Sequence, residues 1–274
     1  LLTSHVYSDL FKKNPNIKEV IIDKRLSRFN LIYLFSLMKK IKQFKFSKVY
    51  DLQNSSRTSF YKKILFPNTG SYKWSSSETT LPASETKKEF DKKPVLERFD
   101  HQLKTSGLKT SHTLKPDFSW GCSNIDELIS KYDLSDYILI FPFCSEHLEQ
   151  KRWPYYDQLI KMIKQNHPNL KIVIAPGPEE IDKAKKLDAV SILSEDQAIS
   201  ISELAGLIKR SKFVIANDTG PAHMAAHLNV KGLSLFGSHT TAHKVSIERE
   251  NFKAIQVSDL KNLSAEKVFE RLIL

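Results

Sequence analysis

Short apolar runs alternate along the chain with longer segments in which apolar residues recur every three or four positions. Runs of the first kind are typical of strands buried in a parallel sheet, and the longer segments are typical of helices that pack on it. The second half predicts strands at 137–141, 170–175, 192–193, 213–216 and 230–236. Helices are predicted at 153–165, 181–187, 203–210 and 222–228. This order favours a doubly wound parallel α/β sheet.

The first half follows the same order less regularly. It begins with what resembles the end of a strand and continues with a helix at 4–13, a strand at 20–23, a helix at 31–44 and a short strand at 48–53. A chain that starts in this way is expected to lack the first strand and helix of its sheet. The Ser- and Thr-rich stretch 69–86 predicts a surface loop, and 85–114 predicts a lysine-rich helical stretch followed by a linker.

Two domains are therefore expected, with residues 1–125 in the first and 126–274 in the second. The helix predicted at 31–44 carries an apolar stripe with lysines beside it, which packs either into a core or onto a membrane surface.

Charge is unevenly distributed between the two halves. Residues 1–120 hold 23 Lys and Arg against 11 Asp and Glu, whereas residues 121–274 hold 19 against 20. A basic half attracts an anionic membrane, an acidic substrate or nucleic acid, and the alternative is a solvated lysine-rich surface. The two cysteines lack the paired spacing of a zinc site and the density of a secreted disulfide scaffold, so a reducing cytoplasm is expected. No apolar stretch approaches the roughly 20 residues needed to span a bilayer.

The stretch 213–228 predicts a site for phosphate. A buried strand ends at Asn217, Thr219 or Asp218 can cap the helix that follows, and Gly220 lets a ligand approach the backbone. Pro221 suits the first turn of that helix. Free N–H groups and the positive end of the helix dipole attract phosphate at such a helix start.

Two other turns are expected at the same edge of the sheet. Ser145 and Lys151 follow the strand 137–141, and Glu180 follows the strand 170–175. Lys151 can neutralise phosphate, Ser145 can donate a hydrogen bond to it, and Glu180 can accept ribose hydroxyls. Together these residues predict a nucleotide-diphosphate site. Each residue taken singly has a simpler interpretation. A cation before a helix can be an exposed surface residue, and a glutamate at a helix start can interact favourably with the positive end of the helix dipole.

Two further patterns carry chemistry. His223 and His227 lie four residues apart on one helix face, but the glutamate of a metalloprotease motif and a third ligand are missing, so no metal site is expected. In the first half, Asp51 and Gln53 at the end of the predicted strand 48–53 and Arg57 just after it can hold a polar or anionic acceptor. Their alternative role is a capped turn with a surface arginine.

Four motifs together resemble glycosyltransferase family 9, the heptosyltransferases of lipopolysaccharide core assembly. They are Lys151-Arg152-Trp153-Pro154, Gly177-Pro178-Glu179-Glu180, the segment Asn217-Asp218-Thr219-Gly220-Pro221-Ala222-His223-Met224-Ala225-Ala226, and Phe236-Gly237. Asp51-Leu52-Gln53 with Arg57 is similar to the motif at a strand end of that family's N-terminal domain.

The resemblance implies a GT-B fold, in which two Rossmann-like doubly wound domains face a cleft, and an inverting, metal-independent transfer without a cofactor. Residues 126–274 would bind a nucleotide sugar, ADP-heptose in the best-known members, and 1–125 would hold an anionic glycolipid acceptor. The protein would then be cytoplasmic and peripheral to the inner membrane, and nucleic acid is not an expected partner.

The resemblance also implies roles for single residues. Lys151 and His223 would act in catalysis, and Ser145 with Lys151 would contact the diphosphate or sugar. Glu180 would bind the ribose. The turn would hold phosphates and sugar through Asp218, Thr219, Gly220, Pro221 and His223.

The family's general base is an Asp in a loop after the first strand, and this segment is expected upstream of Leu1. After Phe236-Gly237 the chain reads Ser238-His239-Thr240-Thr241, where the family pattern continues with proline. A nucleotide-sugar-binding protein without catalysis, or an inactive fragment, is the alternative function. A nucleic-acid-binding module is a third alternative that only the charge supports.

Overall fold

The computed structural model describes residues 1–66, 73–77 and 81–272, which form two compact units, Leu1–Pro116 and Asp117–Leu274. The predicted boundary between residues 125 and 126 falls inside the second unit. Residues just before it already pack there, since Ser123 N–H donates to the Ser202 carbonyl and Ile125 is buried in that unit's core. The chain therefore enters the second unit soon after Pro116.

The first unit contains four short strands and five helices among its described residues. The strands are β1 (Leu2–Ser4), β2 (Ile21–Asp23), β3 (Val49–Tyr50) and β4 (Trp74–Ser75). The helices are α1 (His5–Lys12), α2 (Leu31–Ile41), α3 (Ser56–Leu65), α4 (Lys87–Phe90) and α5 (Val95–Thr105). Strand β1 pairs in parallel with β2, and β3 pairs in parallel with β4.

Helices α2 and α3 supply the main apolar cluster of the first unit. Its buried members are Leu34, Leu37, Ile41, Tyr61 and Leu65. The first three recur at the three- and four-residue spacing of a helix face, which is why α2 packs with this side inward.

Strand β4 lies within the stretch predicted as a surface loop at 69–86. Trp74 and Ser75 are buried and pair with β3, so the loop prediction is wrong here; positions 69–72 and 78–80 lie outside the described residues. The Gln102 amide of α5 donates to the carbonyls of Asp51 and Ser75. The polar composition indicated a loop, but Ser75 is buried because the Gln102 side chain of α5 supplies hydrogen bonds to the backbone carbonyls around it.

The second unit is built on six parallel strands, β5 (Tyr137–Phe141), β6 (Lys171–Ile174), β7 (Val190–Ser191), β8 (Phe213–Asn217), β9 (Gly232–Phe236) and β10 (Phe252–Gln256). Its helices are α6 (Asp126–Tyr132), α7 (Tyr156–Asn166), α8 (Ile181–Ala184), α9 (Ile201–Arg210), α10 (Gly220–His227), α11 (Ala242–Val245) and α12 (Ala265–Phe269). Short 3₁₀ helices lie at Ser119–Gly121, Glu146–Lys151 and Leu260–Asn262.

The strand order is β10-β9-β8-β5-β6-β7, which is the order of a Rossmann-type sheet. The chain winds from β5 toward one edge through β6 and β7, then returns to the other side of β5 with β8. Ligands in such sheets bind beyond the carboxyl ends of the strands where the winding direction reverses. That place is between β5 and β8.

Both faces of this sheet are covered by apolar clusters. One contains Leu139 and Val214 with residues of α6, α9 and α10. The other contains Ile138 and Ile215 with residues of α7 and α12. Because β5 and β8 are buried on both faces, their sequences are continuous apolar runs.

No helix among the described residues is both long enough and apolar enough to cross a membrane.

Candidate functional site

A cavity of about 560 Å³ lies at the carboxyl edge of the second unit's sheet. It is lined by residues that follow β5, β6 and β8, together with residues before and within α9. The predicted site residues in its lining are Ser145, Lys151, Glu180, Asp218, Thr219, Gly220, Pro221 and His223. The structure therefore brings together at one place every residue predicted for the nucleotide-sugar site.

The start of α10 forms one wall of this cavity. Thr219 occupies the N-cap position in an extended conformation, but its side chain makes no capping hydrogen bond and its hydroxyl donates to the Asn217 carbonyl. The expected cap by Thr219 is therefore absent. A helix start that its own side chains do not cap leaves N–H groups for an anion.

Gly220 opens toward empty space. A Cβ built on this residue would meet no described atom within 4 Å. The glycine is thus not required by packing within the protein, and the space in front of it can admit a ligand.

The loop that carries Lys151 is fixed to the end of β8. The N–H of Trp153 donates to Oδ1 of Asn217 at 3.1 Å, and the Trp153 indole donates to the Leu263 carbonyl at 2.8 Å. Trp153 and Asn217 are both buried. The helix predicted from Trp153 begins only at Tyr156 because the tryptophan serves as an anchor for the preceding loop.

Asp218 is surrounded by three nitrogen donors. Its Oδ2 lies 2.7 Å from Lys151 Nζ and 3.1 Å from His239 Nε2, and its Oδ1 lies 3.4 Å from His223 Nε2. Burial acts to raise the pKa of Asp218, but the hydrogen bonds from His223, Lys151 and His239 and the Lys151 charge outweigh it and hold the pKa well below its usual range. The group is a carboxylate anion that orients three basic side chains.

His239 is the site residue that the sequence analysis did not assign. Its side chain is 6% exposed, its ring stacks on Phe236, and its Nδ1 is buried without a hydrogen-bond partner among the described residues. The available signal was its position just after β9, the neighbour of β8 in the sheet. A polar residue there reaches the same edge as Asp218.

Glu180 and Ser145 line the cavity on the side of β6. The Gly177 N–H donates to Glu180 Oε2 at 2.9 Å, which fixes the carboxylate at the start of α8. An adjoining cavity of about 440 Å³ shares Ser145, Gly177 and Glu180 and extends to Arg152 and Lys183. We call these two adjoining cavities, which share Glu180 in their lining, the groove.

The His223–His227 pair does not meet the needs of a metal site. The ring centroids lie 6.4 Å apart, and His227 Nδ1 lies 3.1 Å from the guanidinium Nη2 of Arg249. Among the described residues no group of three His, Cys, Asp or Glu side chains could hold a metal ion. His223 points instead toward Asp218.

The acceptor-side candidates lie in the first unit and take part in local structure. Asp51 is buried and accepts from the N–H groups of Gln53 and Asn54. Arg57 donates to the Tyr61 hydroxyl and to two loop carbonyls at 25 and 26. The contacts of Asp51 and Arg57 are therefore those of the alternative, a turn held by local hydrogen bonds, and Gln53 is exposed. An acceptor-binding role for the three residues stays a prediction.

Comparison with known sequences identifies the family. The model of glycosyltransferase family 9 (heptosyltransferase) matches residues 34–272. Lipopolysaccharide heptosyltransferase 1 of Campylobacter coli is 29% identical over 114 residues, which are 38% of this chain and 33% of that protein. This alignment therefore spans about a third of the length of that curated relative.

Solved heptosyltransferases have a similar fold. The E. coli enzyme WaaC with ADP superposes with a TM-score of 0.69 at 15% identity, covering 98% of this chain and 87% of that one. E. coli ADP-heptose heptosyltransferase II gives 0.70 at 15% identity, covering 98% and 86%. These likenesses confirm the expected GT-B class of α/β fold. With the family model matched over residues 34–272, the chain belongs to glycosyltransferase family 9, the heptosyltransferases.

Proposed function

We propose that this protein is an inverting, metal-independent glycosyltransferase that moves a heptose from ADP-heptose to an anionic, lipid-linked acceptor. The observation that carries the proposal is the arrangement of Lys151, His223 and His239 around Asp218, beside the uncapped start of α10. In the transfer, the acceptor oxygen attacks the anomeric carbon while the bond from that carbon to the diphosphate breaks. The leaving diphosphate gains negative charge that the enzyme must stabilise.

The groups beside the cavity suit this task. Lys151 supplies a positive charge, and the start of α10 supplies N–H donors and the positive end of the helix dipole. Each such donor is worth a few kcal/mol when it meets charge that develops in the transition state. In this proposal these groups bind the two phosphates without a metal.

The proposed role of Asp218 differs from direct phosphate binding. A carboxylate with a lowered pKa repels phosphate, so we assign it to positioning Lys151 and His223 and to accepting hydroxyls of the transferred sugar. His239 holds the same carboxylate from the β9 side and is a positioning residue in this scheme.

The nucleoside fits the rest of the groove. Glu180, held by the Gly177 N–H, would accept the ribose hydroxyls. Ile199, Ile201 and Leu204 line the cavity with apolar surface, which suits the flat faces of a base. The family relatives support adenine, since the solved structure of WaaC was determined with ADP.

The acceptor class is supported by charge. The excess of Lys and Arg in residues 1–120 suits a phosphorylated glycolipid. We place the acceptor on the first unit, and its hydroxyl would lose its proton to a base on that side.

The test is a transfer assay with ADP-heptose and a deacylated or intact lipid A-type acceptor, monitored by mass spectrometry and by NMR of the new glycosidic bond. The expected result is ADP release with a product whose anomeric configuration is opposite to that of the donor. Binding of ADP-heptose without transfer to any acceptor tested would favour the alternative, a nucleotide-sugar-binding protein without catalysis. A retained configuration would contradict the single displacement.

A further inference from the structure

The beginning of α2 exposes a cluster of large apolar side chains. Phe29 is 92% exposed, Leu31 75%, Ile32 86% and Phe35 65%. We call these four residues the α2 face. We propose that it docks onto the surface of an anionic lipid bilayer, with the apolar side chains inserted among the lipids.

These residues are exposed because the helix already packs by its other side. Leu34, Leu37 and Ile41 are buried against α3, and the Asn30 side chain caps the first turn by accepting from the Tyr33 N–H. The orientation of α2 is thus fixed within its own unit. Leu31, Ile32 and Phe35 fall on the opposite side of the helix, where they have no place in that core.

The charge around the face has one sign. Residues 24–50 contain eight Lys and Arg and no Asp or Glu. Lys39 and Lys40 continue the exposed side of α2 beyond Phe35, and Lys24 and Arg25 lie just before the face and are also exposed. An exposed apolar cluster flanked along the chain by cations is the pattern of a segment that lies in a membrane interface.

Charge also decides between the two simplest occupants of the face. A second copy of the chain would bring an equally basic surface against this one, and like charges in contact oppose association. A bilayer with anionic headgroups attracts the cations, and its acyl chains accept the apolar side chains. Electrostatic attraction and apolar insertion then act together, as stable peripheral binding requires.

The inference rests on the proposed function for its purpose, since a lipid-linked acceptor must be reached at a membrane surface. It does not depend on that function for its test, because vesicle binding needs neither donor nor transfer.

The experiment measures co-sedimentation of the full chain with vesicles of phosphatidylcholine, alone or mixed with phosphatidylglycerol. The wild-type protein is expected to bind the anionic vesicles and to be released by salt. The variant Phe29→Ser/Ile32→Ser/Phe35→Ser should bind them at least about tenfold more weakly. It lacks the apolar surface that the three wild-type side chains remove from water when they insert into the bilayer. Lys39→Gln/Lys40→Gln should weaken binding several-fold at low salt.

Matched controls come from the same unit. Val6→Ser/Leu108→Ser/Leu114→Ser also removes three exposed apolar side chains, and Lys62→Gln/Lys63→Gln removes two cations of α3. Both controls should bind vesicles like the wild type. Circular dichroism and thermal unfolding of every variant show whether a loss of binding reflects loss of fold.

Three results would overturn the inference. One is that the wild-type protein fails to bind anionic vesicles, and another is that the α2 face variant binds them as the wild type does. The third is that substitution of the α2 face breaks up a dimer of the chain while vesicle binding stays unchanged. Lys151→Ala should keep full vesicle binding. Failure of sugar transfer with intact face-dependent vesicle binding would therefore count against the proposed function alone.

Discussion

Gly220 offers the smallest change that tests the proposed phosphate site. A methyl group at this position would project into the space beside the helix start, where no described atom lies within 4 Å. Gly220→Ala should therefore leave the fold unchanged and weaken ADP binding by about tenfold, or 1.4 kcal/mol. Isothermal titration with ADP gives the affinity, and thermal unfolding gives the stability.

Gly232 is the matched control for that substitution. A Cβ there would lie 2.6 Å from the Val214 carbonyl oxygen and 2.7 Å from a ring carbon of Phe252. Gly232→Ala should cost about 1–3 kcal/mol of stability because backbone and a packed ring must move. Full ADP affinity in Gly220→Ala would show that the ligand does not approach this helix start.

His227 predicts how stability depends on pH. Burial of the ring, followed by the charges of Arg249 and His223, lowers its pKa to about 4. In the unfolded chain a histidine has a pKa of about 6.5, so the unfolded state binds the proton first as the pH falls. The contribution of neutral His227 is full above about pH 6.5 and is lost progressively down to about pH 4.

The measurement is urea unfolding of the wild type and His227→Gln at pH 7 and pH 4.5. The wild type should lose roughly 2 kcal/mol more than the variant between these two values. Equal losses in the two proteins would mean that His227 has an ordinary pKa in the folded state.

Asn217 joins two elements of the site, the end of β8 and the loop that carries Lys151. Its side chain accepts from the Trp153 N–H at 3.1 Å and lies 3.4 Å from the Tyr156 hydroxyl. Asn217→Ala leaves a buried N–H unpaired and should lower the free energy of unfolding by about 2 kcal/mol. ADP affinity should fall as well, because Lys151 loses its anchor.

Asn166→Ala is the control for this change. Asn166 is exposed at the end of α7 and donates to the Met162 carbonyl. Denaturant unfolding of both variants should show little change for Asn166→Ala, since water replaces the lost hydrogen bond. Equal effects of the two substitutions would contradict a specific role of Asn217.

The helices and strands of the second unit could be predicted from the sequence where the spacing of apolar residues clearly matches either a helix or a strand. The strand predicted at 137–141 was confirmed at Tyr137–Phe141, and the helix predicted at 203–210 lies at Ile201–Arg210, where Ser200 and Glu203 form a capping box. An apolar run and a local cap could be predicted because they depend on neighbours in sequence. The strand predicted at 192–193 lies instead at Val190–Ser191. A two-residue strand is set by its pairing with β6, which the local pattern does not contain.

Contacts distant in sequence explain the other failures. Trp153 has the pattern of a helix start, yet its N–H is taken by a residue 64 positions away. The sequence of β10 shows only a weak alternation of apolar and polar residues, and this strand was not predicted. It forms because it pairs with β9. His239 could not be assigned to the site from the sequence, because its position beside Asp218 depends on the pairing of β9 with β8.

At the scale of the whole molecule, charge and chemistry divide between the two units. The six-stranded sheet of Asp117–Leu274 carries the cavity with Lys151, Glu180 and Asp218. Leu1–Pro116 carries the excess of basic residues and the α2 face. This division fits the proposed function, whose central claim is a nucleotide-diphosphate site in the second unit.

ADP binding by the full chain tests that claim most directly. Wild-type protein, Lys151→Ala and the control Lys161→Ala, an exposed lysine of α7, are titrated with ADP under the same conditions. Loss of the Lys151 charge beside the diphosphate should weaken binding at least about tenfold, while Lys161→Ala should bind as the wild type does. Equal ADP affinity in all three proteins would contradict the nucleotide-diphosphate site.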